Sequence, residues 1–311
     1  MLTYLIILLD DTSTSYCHYE VNRKERRLIS LEDLRAGIVF AMKENLNVQF
    51  VYPDYELPAE YLEAIDSIDH TDIKPVGSND GADVVVLDGW KGKPAEGSTC
   101  IIRCSRQELS DNLPTLTGWL SSVERLNIVL TDVEAFSDDD TGSYKETLET
   151  LADGLADMYK AGKPVQVNLL TDRLILKEMN NCGAGDNSVT LAPNGKFYIC
   201  PAYYYGDEEQ SVGELSSGLN IKNAQLLRLD HAPICRQCDA YHCRRCIWMN
   251  SMLTMDANTP SHQQCVVAHV ERNASRYLQQ KLQAKGIQLS NSYEIAEIDY
   301  LDPFNIVNRW K

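Results

Sequence analysis

The stretch "CRQCDAYHCRRC", residues 235 to 246, constrains this chain more than any other. It sets Cys235, Cys238, Cys243 and Cys246 in the pattern C-x2-C-x4-C-x2-C. Two thiolates a short turn apart can reach one metal ion or one edge of a cluster. Left without a metal, four such thiolates would repel one another and oxidise. Small apolar cysteines filling a core are the weaker alternative at this density. Three more cysteines share the region: Cys182, then Cys200, reached by G-x4-C from Gly195, and finally Cys265. Four close cysteines alone suit a structural zinc ribbon, but the other three are then left over. Arg236, Arg244 and Arg245 are interleaved and can offset the charge of thiolate-bound iron. His242 reads as a lone surface histidine rather than a ligand.

Whether metal or disulfides engage the ten cysteines depends on the compartment. The apolar start ends at Asp10-Asp11 with no basic lead, and no run reaches the ~20 apolar residues of a membrane helix. A cytoplasmic location is therefore expected, where metal ligation is the better use of cysteine. A formal charge of −16 argues against nucleic-acid binding and against anionic membrane surfaces. It leaves room for a basic peptide partner. With 311 residues and 44% hydrophobic content, the chain can form two domains, or one barrel with an appendage.

The first 178 residues read as an α/β domain. "LTYLIILL", "VQFVY", "DVVVLDG", "TCIIRC", "LNIVLTD" and "VQVNLL" are strand-like runs. Between them lie helical stretches: "SLEDLRAGIVFAMKENL", N-capped by Ser30, "PAEYLEAIDSI" from Pro58, and "SYKETLETLADGLADMYKAG". Buried strands separated by helices imply a parallel sheet or partial barrel. Cys100 and Cys104, four apart on one strand, fall on the same face and are expected to pack rather than bind metal. "SDDDTGSY" lacks the acidic end of a calcium loop and reads as a solvated turn. Past residue 178 the pattern changes. "SVTLAPNGKFYIC" is a hairpin turning at Pro193-Asn194-Gly195, and "HQQCVVAHVERNASRYLQQKLQAKG" is a long helix ending at Gly286. Tyr203, Tyr204 and Tyr205 could line a peptide groove, although three neighbours cannot share one strand face. The tail from residue 291 has aromatics enough to dock.

The order C-x12-G-x4-C, a gap, C-x2-C-x4-C-x2-C, a gap and a last C closely resembles the SPASM domain of peptide-modifying radical S-adenosylmethionine (SAM) enzymes. The family's middle spacings are wider, x5 and x3. The resemblance implies two auxiliary 4Fe-4S clusters. Cys182, Cys200 and Cys246 would hold the first, with Asp186, Asn187 or an open iron position as the fourth. Cys235, Cys238, Cys243 and Cys265 would hold the second. The α/β region resembles the partial (β/α) barrel of the same enzymes, in which a C-x3-C-x-Φ-C loop after the first strand binds the SAM cluster. In "LLDDTSTSYCHYE" only Tyr16 and Cys17 match, and Asp10 and Thr14 stand at the other two cysteine positions. The family's G-G-E-P turn is replaced by "PDYELP". The resemblance thus implies a barrel without SAM, with Cys17 either a relic or a single thiol reused for something else. The start, the cysteine pattern and the ending "EIDYLDPF" are similar to the CXXX-repeat peptide maturase proteins. That likeness implies a maturation factor for a cysteine-containing precursor peptide, working beside a true radical SAM maturase. A zinc- or cluster-stabilised peptide-binding module without redox work is the alternative. The expected division is a barrel over 1–178, the cysteine-rich domain over 179–270, and a helix and tail over 271–311.

Overall fold

The computed structural model describes residues 2–77, 81–90 and 93–289. The expected tail, including "EIDYLDPF", lies outside them. In chain order the strands are β1 (Tyr4–Leu8), β2 (Asn47–Val51), β3 (His70–Pro75), β4 (Val84–Leu87), β5 (Ser98–Cys104), β6 (Val123–Leu130), β7 (Gln166–Val167), β8 (Ser188–Leu191) and β9 (Phe197–Tyr198). The helices are α1 (Leu31–Glu44), α2 (Ala59–Ile65), α3 (Arg106–Asp111), α4 (Leu113–Leu120), α5 (Asp138–Lys160), α6 (Asn168–Ile175), α7 (Pro201–Gly206), α8 (Ile247–Thr254) and α9 (His262–Ala284). The fold is mixed α/β with mainly parallel strands. It divides into two compact units, Met1–Asp88 with Gly183–Arg228, and Gly89–Cys182 with Leu229–Lys311.

In the first unit the strands run in the order β4-β3-β2-β1-β8-β9, and every pairing is parallel except β8 with β9. Strand alternation sends Leu5, Ile7 and Leu9 of the β1 segment to one face, where Val48 and Phe50, Val189 and Leu191 join them. Leu34, Ile38 and Ala41 recur at helical spacing on α1 and close that core together with Tyr61 and Ile65 of α2. Fully burying such aliphatic side chains contributes about 2 kcal/mol each. α1 starts where Ser30 Oγ accepts the Asp33 N–H at 3.0 Å. Gly37 lets α1 approach closely, since a Cβ there would lie 2.4 Å from Leu191 Cδ2. The hairpin turn between β8 and β9 relies on Gly195 at φ 74°. β3 escapes sequence patterning because "HTDIKP" is polar. It is held by pairing on both edges, with His70 and Lys74 flanking Asp72.

The second unit carries β5, β6 and β7 as a parallel set with β6 central. α5 and α9 run parallel: Tyr144 meets Glu271, Asp153 meets Tyr277 and Lys281, and Asp157 meets Lys285. Two expectations are corrected here. "VQVNLL" is a strand only at Gln166–Val167, and Asn168 then begins α6. Asn168 spends its amide on both backbone groups of Ile128, and Thr171 Oγ1 accepts the Val167 N–H. α6 is buried on nearly all sides, Thr171, Asp172 and Arg173 included, so its polar residues mark no exposed face. "SDDDTGSY" is the first turn of α5, not a loop: the N–H and hydroxyl of Ser137 both donate to Asp140 Oδ2, at 2.8 and 2.6 Å.

Cys100 and Cys104 share the buried face of β5, at 0% and 2% exposure. Burial, then the nearby Glu108 and Asp132, pushes the Cys104 thiol up from 9.0 to about 12. The expected result is alkylation of Cys104 at pH 8 about a thousandfold slower than that of an ordinary thiol, from the three-unit difference. Mass spectrometry after iodoacetamide treatment reads this, and labelling at the rate of a free thiol standard would contradict the burial. The unfolded thiol ionises first, so this contribution to stability is whole below pH 9 and is lost as pH rises toward about 12.

Candidate metal centre

Cys235 opens a short 3-10 turn in the second unit, and the Cys238 N–H donates back to its carbonyl at 3.1 Å. The Cys243 N–H donates to the Ala240 carbonyl at 2.9 Å, closing a second turn. The Ala240 N–H points at Cys238 Sγ at 3.4 Å, and His269 Nε2 lies at the same distance from that sulfur. Burial is the main force raising all three thiols, Cys235 to about 11 and Cys243 further. Cys238 adds to the rise at Cys235, and Cys235 and Cys238 both add to that at Cys243, so the three are neighbours. Cys265 stands on α9 one turn before His269, on the same helix face. The four residues expected to hold the second cluster are therefore on adjoining segments of one unit. Cys182 and Cys246 are in this unit too: the Cys182 N–H donates to the Arg244 carbonyl at 2.9 Å, and Cys246 precedes α8. Cys200 belongs to the first unit, at the N-cap of α7, as do Asp186 and Asn187. Among the described residues no three His, Cys, Asp or Glu side chains converge on the position of a single ion.

The surroundings of Cys238 are charged and dry. Asp239, 1% exposed, faces two arginines that are also buried. Arg272 Nη1 donates to its Oδ1 at 2.9 Å. Arg173 Nε donates to its backbone carbonyl at 2.9 Å, with Nη2 3.7 Å from Oδ2. His242 is not at the surface as expected: it is 6% exposed, and its Nε2 lies 3.2 Å from Glu271 Oε2. The other Glu271 oxygen accepts from Tyr144 at 2.8 Å. Of the three interleaved arginines only Arg245 is buried, bonded to the side-chain oxygens of Asn181 and Asn258. Arg173 and Arg272 gave no sequence signal, because they lie on helices far from the cysteines in the chain.

At the end of β1, in the first unit, side chains fill the loop. Asp10, fully buried, accepts from the Thr12 N–H at 2.8 Å, the Thr12 hydroxyl at 2.6 Å and Tyr55 OH at 2.9 Å. Tyr55 belongs to "PDYELP", so the two segments that depart from the SAM pattern bind each other. Asp11, 5% exposed, takes the Tyr204 hydroxyl, Arg27 Nε at 3.0 Å and Arg23 at 3.5 Å. Burial and the bond to Asp11 keep the Tyr204 phenol protonated. Glu208 accepts from both arginines and from Asn194. Tyr19 stacks on Tyr205 at 5.3 Å, and Arg23 lies over the Tyr204 ring at 4.1 Å. The tyrosine triplet is on a helix, α7, not a strand, and Tyr204 and Tyr205 are buried. Cys17 is half-buried in this loop. Outside the plug, an open pocket of about 310 Å³ is lined by Thr12, Thr14, Lys24, Arg26, Asp54 and Pro75.

Several solved structures align with nearly the whole chain. anSMEcpe with bound AdoMet aligns with a TM-score of 0.57 at 9% identity, over 93% of this chain and 96% of that one. The chain shares the fold of anSMEcpe. Native anSMEcpe with bound AdoMet and Cp18Cys peptide gives 0.58 at 10% identity, over 92% and 99%. The complex with Kp18Cys peptide gives 0.56 at 10%, over 91% and 99%. No protein-family model and no curated protein matches the sequence. No helix among the described residues is long and apolar enough to cross a membrane.

Proposed function

We propose that this chain is a maturation factor for a ribosomally made peptide, and that it binds the precursor through a SPASM-like region over 179–270. In this reading two auxiliary 4Fe-4S clusters sit on the seven cysteines, and a separate radical SAM maturase does the SAM-dependent chemistry. The observation that carries the reading is the gathering of Cys235, Cys238 and Cys243 in a buried, arginine-rich setting, with Cys265 one turn from His269. Buried thiols with raised pKa values become thiolates only when a metal displaces the proton. Cys182, Cys200 and Cys246 are assigned to the first cluster by the family pattern alone. When bound, such clusters supply one-electron transfer and an iron site for a thiolate. The residues here bury Cys235, partly bury the other six cysteines and fix charges beside Cys238. The fold likeness to anSMEcpe, described with AdoMet and with peptides, supports a peptide as the partner.

The N-terminal plug supports a barrel that does not itself bind a SAM cluster. Three cysteines must hold that cluster, and here Asp10 and Thr14 stand in two of the positions. The Asp10 carboxylate is already bound by Thr12 and Tyr55. These residues do not fit the group. Anaerobic reconstitution followed by iron, sulfide and EPR measurement tests the proposal. The expected result is equal iron and sulfide, enough for two four-iron clusters, and no deoxyadenosine from SAM. Stoichiometric zinc without sulfide would overturn it in favour of a zinc-stabilised binding module.

A further inference from the structure

The run "RKERR", residues 23 to 27, sets four basic residues in five within a chain of formal charge −16. Arg23 and Arg27 turn to Asp11, Tyr204 and Glu208 and are spent on the plug. Lys24 and Arg26 instead line the open pocket of about 310 Å³, together with Thr12, Thr14, Asp54 and Pro75. Thr12 and Thr14 follow β1, Asp54 follows β2, and Pro75 ends β3, so the carboxyl ends of three adjacent parallel strands meet there. That end of a parallel sheet is where open α/β folds bind ligands. The pocket has donors to spare. Lys24 has no hydrogen-bond or ion-pair partner among the described residues, and neither has the Thr14 hydroxyl. Arg26 meets Asp54 only at 3.9 Å, with side chains 62% and 77% exposed, which makes a weak pair. Thr12 gives its hydroxyl proton to Asp10 and keeps only a lone pair to offer. Two cations and one carboxylate leave one positive charge over, which a single monoanion balances. The walls are fixed before any ligand arrives. The Thr14 N–H donates to the Tyr52 carbonyl at 2.9 Å, and the Thr14 carbonyl accepts from the Tyr19 hydroxyl at 3.2 Å. The Arg26 guanidinium lies 4.2 Å from the centre of the Tyr55 ring, which is itself tied to Asp10.

We propose that this pocket is a binding site for a carboxylate group, held by Lys24 and Arg26 with the Thr14 hydroxyl donating to it. Its volume is at the lower end of small-molecule sites, so it takes one side chain or a short acid rather than a nucleotide. Two sources present that group: a free short-chain acid, and a glutamate side chain of a peptide. The test separates them. The site belongs to the first unit, and the inference does not depend on iron at the cysteines.

The test is saturation-transfer NMR titration of the full chain at low ionic strength with N-acetyl-glutamate α-amide, whose only charge is one side-chain carboxylate. The neutral counterpart, N-acetyl-glutamine α-amide, is expected to bind about tenfold more weakly. Lys24→Gln lowers the affinity for the acid about tenfold, and Thr14→Val lowers it about threefold. Lys24→Arg keeps the charge and most of the affinity. Lys24 is exposed and braces nothing, so its variants fold. Lys43→Gln makes the same change of net charge at the exposed end of α1 and leaves the affinity as it was. Added salt weakens binding, as it does for exposed charges. Pentanoate binding as tightly as the glutamate amide assigns the source to a free acid, and tighter binding of the amide assigns it to a peptide. Equal binding of the glutamate and glutamine amides overturns the inference, as does an unchanged affinity in Lys24→Gln or an equal loss in Lys43→Gln. Tighter binding of inorganic phosphate or of S-adenosylmethionine also overturns it, because the ligand class is then a different one.

Discussion

Serine at position 243 is expected to cost the protein about half its iron and most of the stability of its second unit. Cys243 lies in the densest part of the cysteine cluster, where burial and two neighbouring thiols act on it together. In the proposed centre its loss breaks one cluster and leaves Cys235 and Cys238 without their shared metal. Loss of a metal belongs to the small set of changes that cost more than about 4 kcal/mol. Far-UV circular dichroism during urea titration and iron assay read both effects. Cys17→Ser, in the N-terminal loop, is the matched control and is expected to leave the iron content unchanged. Full iron in Cys243→Ser, or equal losses in both variants, would refute the assignment.

Asp11→Ala is the second large effect, on the other unit. Asp11 is 5% exposed and gathers Tyr204, Arg27 and Arg23. Without it the two guanidiniums keep Tyr204 and, as a carboxylate, Glu208, whose side chain is 38% exposed. Breaking a wholly buried pair costs about 3–5 kcal/mol. The Arg27 side chain is 42% exposed and can turn to water, so about 2–3 kcal/mol is expected. Chemical denaturation measures the loss, and a double-mutant cycle with Tyr204→Phe apportions it. A cost below about 1 kcal/mol would mean that the network is surface decoration. Iron content is expected to stay the same, which separates this plug from the cysteine centre.

The parallel α/β character was legible because β1, β2, β5 and β6 are apolar runs, and α1 carries a strong N-cap at Ser30. β3 and α6 were not, for opposite reasons. One is polar and held by its neighbours; the other buries Thr171, Asp172 and Arg173 along with its leucines, so no polar face marks it as helical. At the site, cysteine spacing named the residues without the local sequence naming their surroundings. His242 looked solvent-facing because the flanking residues are polar, yet it is buried beside Glu271 of α9, a carboxylate that Tyr144 of α5 also binds. The Asp11 cluster joins residues more than 175 positions apart, a separation that no local pattern reports.

β1 is paired on one side by β2 and on the other by β8, which the chain reaches only after it has laid down β5 to β7. During translation the first unit thus holds an unfilled edge through the synthesis of Gly89–Cys182, which belong elsewhere. Val189, Leu191 and Phe197 arrive last, and with them the lining of its core. Neither unit is a continuous piece of sequence, so cutting the gene between Cys182 and Gly183 yields fragments that each lack part of both cores. An order of assembly is therefore imposed on the nascent polypeptide: the earliest strand to leave the ribosome is among the last to be fully paired.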